Sequence, residues 1–138
     1  MAHQTILEFS TSGRGTREIT RDVAAVVAAS RLQCGLVQVF VQHTSCSLLL
    51  TENADGDVRR DLETIISRLA PDGDPAYRHD AEGPDDMSAH GRTMLTDTAL
   101  TIPVGAGRML LGTWQGIYLW EHRTAPHRRR VVVTVLGG

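Results

Sequence analysis

Four histidines occupy positions from which they could bind a metal ion or transfer protons. His43 and His122 lie at the ends of predicted strands, and His79 and His90 flank a polar segment. Asp86 and His90 are four residues apart, so on a helix they would share one face. A carboxylate beside an imidazole can orient the ring, raise its basicity or complete a metal site. The spacing matches no HExxH or zinc-finger pattern, and an ordinary hydrogen bond at each histidine is the alternative.

Hydroxyl and carboxylate groups follow His43 along the chain. Ser45 could be a nucleophile activated by a histidine, although it lies in no GxSxG elbow. Thr44 and Ser45 could instead donate hydrogen bonds to a bound oxyanion or cap the backbone. Glu52 and Asn53 also have two interpretations, as site residues or as a device that starts a helix.

Residues 112–123 combine both tryptophans with a charged end. The apolar middle predicts a central strand, and the end, Glu121-His122-Arg123, is expected to reach a functional site. The glycines of this stretch do not form a phosphate loop, because the Walker spacing and its lysine are absent. The three arginines at 128–130 indicate either a solvated turn or a phosphate clamp.

The hydrophobic pattern predicts about seven strands and three helices. Alternation over residues 35–43 predicts a strand with one apolar face. Residues 58–69 carry apolar side chains at helical spacing, which predicts an amphipathic helix that starts at Asp55 or Asp57. We therefore expect an α+β fold, with a single domain over residues 1–138, a mostly antiparallel, sandwich-like β-sheet and two to three helices.

Residues 77–98 form a long polar segment. One short helix with Pro84 at its first position is expected there. We do not expect the segment to fill a core, and a polar segment of this length is more often functional or mobile than filler.

Composition argues against several classes of protein. A length of 138 residues suffices for one domain with a core, and a net charge of −2 gives no electrostatic case for nucleic acid or an anionic membrane. No apolar run approaches the roughly 20 residues of a membrane helix. The N-terminus lacks a signal-peptide pattern, and Cys34 and Cys46 lack CxxC spacing. We expect a cytoplasmic protein with reduced thiols and with neither nucleic acid nor membrane as a partner.

Blocks spread over nearly the whole chain carry a family resemblance. They are His43-Thr44-Ser45, Glu52-Asn53-Ala54-Asp55, Asp57-Val58-Arg59, His79-Asp80, Gly83-Pro84-Asp85-Asp86-Met87, Ala89-His90, Gly112-Thr113-Trp114-Gln115-Gly116-Ile117, Glu121-His122-Arg123 and Arg129-Arg130. Together they resemble the YjbQ-like proteins, a family long described as uncharacterised and now often labelled secondary thiamine-phosphate synthase. The Gly-Thr-Trp-Gln block is the most specific of them.

The resemblance implies a homotrimer with a polar pocket near a subunit interface, and a divalent metal, zinc, in that pocket. The implied metal ligands are His43, His79 and His90. The implied catalytic residues are Asp86, Glu121, His122 and Ser45. The implied substrate-binding residues are Thr44, Glu52, Asn53, Trp114, Gln115, Arg123 and Arg130. The chain departs from the family at Gly91-Arg92-Thr93-Met94, where Lys-Ser-Ser is common, and at His127-Arg128, where Gly-Ser is common.

The implied function is that of a small-molecule enzyme acting on phosphorylated substrates. Its attributed reaction joins a pyrimidine pyrophosphate to a thiazole phosphate and releases pyrophosphate, here as a weak activity. The main enzyme for that reaction is a TIM barrel, which needs roughly 250 residues. This chain would therefore catalyse the reaction with an unrelated fold. In the expected scheme, Asp86 or Glu121 acts as base or supports the metal, and Arg123 and Arg130 neutralise the substrate. The alternatives are a non-catalytic trimeric binder of a small anion and a structural module whose histidines hold the trimer together.

Overall fold

The computed structural model describes residues 1–138 and contains three helices and eight strands. The helices are α1 (Thr20–Ser30), α2 (Gly56–Leu69) and α3 (Asp86–Leu95). The strands are β1 (Ala2–Ser10), β2 (Gly15–Glu18), β3 (Cys34–Val41), β4 (Cys46–Glu52), β5 (Ala99–Gly105), β6 (Arg108–Met109), β7 (Gln115–Glu121) and β8 (Arg128–Gly137). None of the helices is long and apolar enough to cross a membrane.

The strands form two antiparallel sheets that face each other across a common core. The larger sheet has five strands in the order β1-β8-β3-β5-β6, and the smaller has three in the order β2-β7-β4. The α+β fold with a mostly antiparallel, sandwich-like sheet is therefore confirmed. As expected from its aromatic and apolar sequence, β7 is the central strand of its sheet.

The core consists of 18 buried residues drawn from both sheets and from α1. Strand β3 shows the predicted alternation, because Val37, Val39 and Val41 are buried while Leu36 and Phe40 are 48% and 43% exposed. Since side chains of a strand alternate between its faces, one face of the larger sheet covers the core and the other remains open.

Helix α2 starts where the sequence predicts but packs less deeply. The side chain of Asp55 caps it by accepting a hydrogen bond from the Asp57 amide at 2.9 Å. Only Ile66 is buried, whereas Ile65 and Leu69 are 52% and 63% exposed. The apolar stripe of α2 is therefore partly uncovered in the single chain.

Helix α3 corrects one expectation for the polar segment. It begins at Asp86 rather than at Pro84. As expected, no residue of 77–98 belongs to the hydrophobic core, yet α3 contributes buried polar groups, since Asp86, Ser88 and Arg92 are at most 3% exposed. Burial is tolerated because partners satisfy these groups; Arg92, for example, donates to Glu63 at 2.7 Å.

Several of the candidate functional residues lie near the end of the smaller sheet at Glu121. Glu121 in β7 pairs with Gly15 of β2 on one side and with Cys46 of β4 on the other. Helix α3 reaches the same end, because His90 and Thr93 both bond the carbonyl oxygen of Thr44 just before β4.

Candidate functional site

Three potential metal ligands converge on α3 and the segment before it. The carboxylate Oδ2 of Asp86 lies 2.7 Å from Nε2 of His79 and 3.2 Å from Nε2 of His90. One ligand atom from each residue lies within 4.8 Å of the other two. The pairing of Asp86 with His90 follows the predicted i, i+4 spacing on one helix face. We call these three residues the His79–Asp86–His90 cluster.

The tautomer of His90 follows from its backbone partner. Nδ1 of His90 lies 3.0 Å from the carbonyl oxygen of Thr44, and a carbonyl can only accept, so Nδ1 carries the hydrogen. In a neutral ring, Nε2 then presents a lone pair towards the carboxylate of Asp86. Two acceptors facing each other at 3.2 Å require a proton or a cation between them. The cluster is therefore suited to binding a cation.

A second layer of bonds holds the Asp86 carboxylate in place. Arg123 donates from Nη1 to Oδ1 of Asp86 at 2.8 Å and from Nε to Oδ2 of Asp85 at 3.0 Å. Asp85 also accepts from the Thr124 amide at 2.8 Å. Burial alone would raise the pKa of Asp86, but the His79 hydrogen bond and the nearby Arg123 charge lower it below its ordinary value. The carboxylate is thus held ionised, as a metal ligand must be.

His43 does not belong to the cluster. Its Nε2 accepts a hydrogen bond from the Arg130 amide at 2.8 Å, a pairing between residues 87 positions apart. Burial, together with the charge of Arg129, lowers the pKa of His43. The structure therefore brings His79 and His90 together as predicted, but Asp86 takes the place that the sequence suggested for His43.

Glu121 and Ser45 belong to a buried hydrogen-bond network with Arg129. Glu121 is 1% exposed and pairs with Arg129, whose Nε donates to Oε1 at 2.8 Å. Thr11 donates to the same oxygen at 2.7 Å. The Ser45 hydroxyl accepts from Arg129 at 3.0 Å, and the Ser45 carbonyl accepts from the His122 amide at 3.3 Å. Neither the Glu121 carboxylate nor the Ser45 hydroxyl makes a hydrogen bond to an imidazole, and neither lines the cleft beside His79.

His122 is fully buried and pairs with a serine that the sequence did not single out. Its Nε2 lies 2.8 Å from the hydroxyl oxygen of Ser47, and both residues are 0% exposed. Burial, with the charge of Arg92, lowers the pKa of His122 to about 3. Its Nδ1 has no hydrogen-bond partner. The His122 ring, expected to be catalytic, is therefore neutral and enclosed in the single chain.

The two arginines expected to neutralise a phosphate have different surroundings. Arg123 is already bound to Asp85 and Asp86, and its Nη2 donates to the Glu82 carbonyl at 3.2 Å. Arg130 has a side chain that is 52% exposed and lies 3.9 Å from Glu8. Arg123 therefore acts on the cluster through its carboxylates rather than as a free cation.

Four of the expected substrate-binding residues lie at the opposite end of β7. Glu52 pairs with Gln115 in the β4–β7 register, and the Asn53 amide donates to the Trp114 carbonyl at 3.0 Å. The seven residues of β7 place this end about 20 Å from Glu121. Glu52 accepts from the Asp55 amide at 3.0 Å, which favours the helix-start interpretation for that residue. These residues are therefore separate from the cluster in a single chain.

A cleft opens beside the cluster. It has a volume of about 340 Å³ and is lined by Gly73, Asp74, Pro75, Tyr77, His79, Asp80, Gly83, Pro84 and Met87. Its charged side chains are acidic, and no arginine lines it. A ligand could therefore contact His79 here. An anionic group would need a cation bound at the cluster to neutralise its charge. We call this space the His79 cleft.

Comparisons with known proteins give one consistent relationship. The family model described as UPF0047 protein YjbQ-like matches residues 5–138. A UPF0047 protein of Synechocystis is 49% identical over 135 residues, which cover 98% of this chain and 92% of that relative. The crystal structure of a conserved hypothetical protein of Thermus thermophilus is 38% identical with a TM-score of 0.85, covering 96% of this chain and 99% of that one. A YbjQ-like protein of unknown function from Sulfolobus solfataricus, 22% identical, shares the fold with a TM-score of 0.87 over 100% of both chains.

Proposed function

The chain belongs to the YjbQ-like UPF0047 family, and from that premise we propose that it is a small-molecule enzyme acting on phosphorylated substrates with a divalent metal. The metal would be held by His79, Asp86 and His90. The observation that carries this proposal is the convergence of three ligand atoms around the fixed His90 tautomer. Without a metal ion, the His90 nitrogen and the Asp86 carboxylate need a proton between them.

Zinc fits the donor set best among common divalent ions. Two imidazole nitrogens and one carboxylate oxygen are ligands that zinc accepts, and three protein ligands leave one position open, as in catalytic zinc sites. When bound, a divalent ion would polarise a phosphoryl oxygen or activate a water molecule. The residues around the cluster match what metal ligands require, since Thr44 fixes one ring and Arg123 fixes the carboxylate.

The protein groups contribute orientation and access in this proposal. The Arg123 contact holds Oδ1 of Asp86, which leaves Oδ2 directed at both histidines. The His79 cleft admits a substrate to one side of the cluster. Because its pKa is lowered, Asp86 is a better ligand than a general base at neutral pH.

The specific reaction in this proposal is a weak activity of the thiamine-phosphate synthase type. It would join a pyrimidine pyrophosphate to a thiazole phosphate and release pyrophosphate. A non-catalytic binder of a small anion is the second candidate. The observation that favours the binder is that Glu121, His122 and Ser45 are all buried and bonded internally, so none of these three expected catalytic residues reaches the His79 cleft.

Turnover assays with metal control separate the two candidates. Pyrophosphate release would be measured for wild type with chelator, with zinc restored, and for His90→Ala beside His43→Ala. An enzyme of the proposed kind loses turnover on chelation, regains it with zinc, loses it in His90→Ala and keeps it in His43→Ala. Turnover that persists in both the chelated protein and His90→Ala would refute the metal-assisted enzyme. Ligand binding that needs His90, without turnover under any condition, would favour the binder.

We also propose that the chain forms a homotrimer through the open face of its larger sheet. Ile6, Leu36, Phe40 and Leu136 are all between 43% and 52% exposed on β1, β3 and β8. Leu36 lies opposite Leu136, and Phe40 lies opposite Val132, so these side chains form two apolar rows across the strands, with Gln38 and Thr134 between them. Exposed apolar side chains of this kind on a monomer mark an expected site of association, and in a trimer they would pack against a different patch of the neighbouring copy.

A cytoplasmic location completes the proposal. Cys34 is exposed and Cys46 is buried, and both are free thiols. Burial raises the pKa of Cys46 to about 12, so this thiol is an inert packing group. Free thiols of this kind suit a reducing compartment.

A further inference from the structure

A second cleft lies between the end of β1 and the start of β2. Its volume is about 340 Å³, and it is lined by Ser10, Thr11, Ser12, Gly13, Arg14, Gly15, Thr16, Arg17, Leu119 and Glu121. Leu119 is its single hydrophobic residue, so the walls are almost wholly hydroxyl, amide and guanidinium groups. We call it the β1–β2 loop cleft.

Backbone donors in this cleft lack partners within the protein. The amides of Ser12, Gly13 and Arg14 make no hydrogen bond to any other residue, whereas the preceding Thr11 amide donates to the His127 carbonyl at 2.8 Å. Three successive free N–H groups, with the Ser12 hydroxyl beside them, are donors that an anion can accept from. The lining therefore offers hydrogen bonds of the kind that phosphate oxygens require.

The charges around the cleft leave one cation available. The charge of Glu121 is compensated by Arg129, and Arg14 is paired with Asp72 at 2.7 Å. Arg17 has no carboxylate partner, because its contacts are the Ser10 carbonyl at 3.1 Å and the Phe9 ring at 4.8 Å. These contacts hold the guanidinium at the cleft while leaving most of its N–H groups free.

The loop is joined to the His79–Asp86–His90 cluster through a short chain of contacts. Gly13 packs against the Thr124 carbonyl so closely that an added Cβ would lie 2.8 Å from its oxygen. Thr124 in turn donates to Asp85, the neighbour of Asp86. On another side, Arg14 donates to the His122 carbonyl at 2.8 Å. The cleft and the cluster therefore flank the same residues at one end of β7.

We propose that the β1–β2 loop cleft is a phosphate-binding subsite that uses the amides of residues 12–14 and the guanidinium of Arg17. Such a subsite would supply the positive charge that a phosphate needs. The His79 cleft does not supply it, since its charged side chains are acidic and Arg123 is already paired with carboxylates. Only the source of the phosphate rests on the proposed function: it is either the phosphate end of a phosphorylated substrate or free inorganic phosphate. The binding chemistry is the same for both.

The test is an NMR titration of chelator-treated protein, in which metal cannot contribute. Amide shifts would be followed during addition of inorganic phosphate and, separately, of methyl phosphate as a phosphomonoester. We expect saturable shifts at Ser12, Gly13 and Arg14, and affinity weaker by about tenfold or more in Arg17→Gln. Arg21→Gln, which removes an exposed arginine from α1, is the matched control and should bind as wild type does.

The outcomes separate this inference from the proposed function. Tighter binding of methyl phosphate than of phosphate would identify a substrate end, and the reverse would identify the free ion; both support the subsite. No saturable shift at residues 12–14, or equal weakening in Arg17→Gln and Arg21→Gln, would overturn it. Shifts centred on His79 and His90 would also overturn it while leaving the metal proposal standing. If the protein binds phosphate in this titration but fails to bind added zinc, only the metal proposal is overturned.

Discussion

At the residue scale, His122 shows how burial converts an apparent catalytic group into a stability determinant. It has no exposed surface, its Nε2 contacts Ser47, and Arg92, Arg14 and Arg129 add positive potential around it. Its pKa is about 3 in the native state. An unfolded histidine has a pKa of about 6.5, so the unfolded chain binds a proton that the native protein excludes.

We predict that the free energy of unfolding falls as the pH drops from about 6.5 towards 3, because only the unfolded state takes up the His122 proton in this range. The slope from this group approaches about 1.4 kcal/mol per pH unit. Urea unfolding of wild type and His122→Gln between pH 6.5 and 5 would measure it, since most carboxylates titrate below that window. Identical slopes in the two proteins would contradict the assignment.

Single residues also show what sequence spacing can and cannot reveal. The Asp86–His90 pair was predictable, because both lie one helical turn apart on one element. The surroundings of His43 were not predictable, because its partner, the Arg130 amide, lies 87 positions away on another strand. Arg129 was expected in a solvated turn or a phosphate clamp, yet it is 4% exposed and paired with Glu121. A buried ion pair between two strands leaves no local periodic signal.

At the element scale, the pairing of β3 with β8 depends on two glycines that face each other. A Cβ on Gly35 would overlap the Leu136 carbonyl, and a Cβ on Gly137 would overlap the Cys34 carbonyl. Gly137 also has a φ of 149°, a conformation that disfavours other residues. The close approach allows β8 to lie between β1 and β3, and so fixes the middle of the larger sheet.

We predict that Gly35→Ala lowers the free energy of unfolding by about 3 kcal/mol, because the strands must separate to admit the methyl group. Gly56→Ala is the matched control, since a Cβ there meets only the Arg59 side chain at 3.9 Å. That control should be neutral or stabilising by up to about 1 kcal/mol. The urea midpoints of the two variants would measure both changes in stability. A Gly35→Ala protein as stable as Gly56→Ala would contradict the close approach of β3 and β8 at Gly35.

Elements differ in how far sequence predicts them. The alternation of β3 is predicted correctly because one face of that strand meets the core and the other does not. Helix α2 has the clearest amphipathic pattern, yet Ile65 and Leu69 remain exposed. The sequence of helix α3 indicates a polar, external element, although Asp86 and Arg92 are buried. Periodicity identifies an element, whereas tertiary partners such as Glu63 decide how deeply a polar helix is buried.

At the scale of the whole molecule, a single chain leaves apolar side chains of its larger sheet and of α2 exposed to solvent. The open face of the larger sheet carries Leu36 and Phe40, and α2 exposes part of its apolar stripe. The residues predicted from family resemblance also fall into two groups, one at each end of β7. The length of the predicted strand separates Gln115 from Glu121, whereas the pairing that brings Glu52 beside Gln115 follows from strand register and left no local signal. A trimer would cover the apolar rows of the sheet.

We predict that Phe40→Glu dissociates the trimer, because a charge in the centre of an apolar interface cannot be buried without a partner. Met94→Glu is the control, since Met94 is 78% exposed at the end of α3 and lies away from the open sheet face. Sedimentation equilibrium would give a trimer for wild type and Met94→Glu and a smaller species for Phe40→Glu. A trimeric Phe40→Glu protein would show that this face is not the interface, and a monomeric wild type would refute the trimer.

The central claim is that the His79–Asp86–His90 cluster binds a divalent metal ion. Calorimetric titration of zinc into chelator-stripped protein tests this claim most directly. Wild type should bind one zinc ion per chain. Asp86→Asn and His90→Ala should each weaken binding by about 100-fold or more, because each loses a direct ligand. His43→Ala should bind as wild type does, since Nε2 of His43 is bonded to the Arg130 amide. Absence of zinc binding in wild type, or its loss in His43→Ala but not in His90→Ala, would contradict the site.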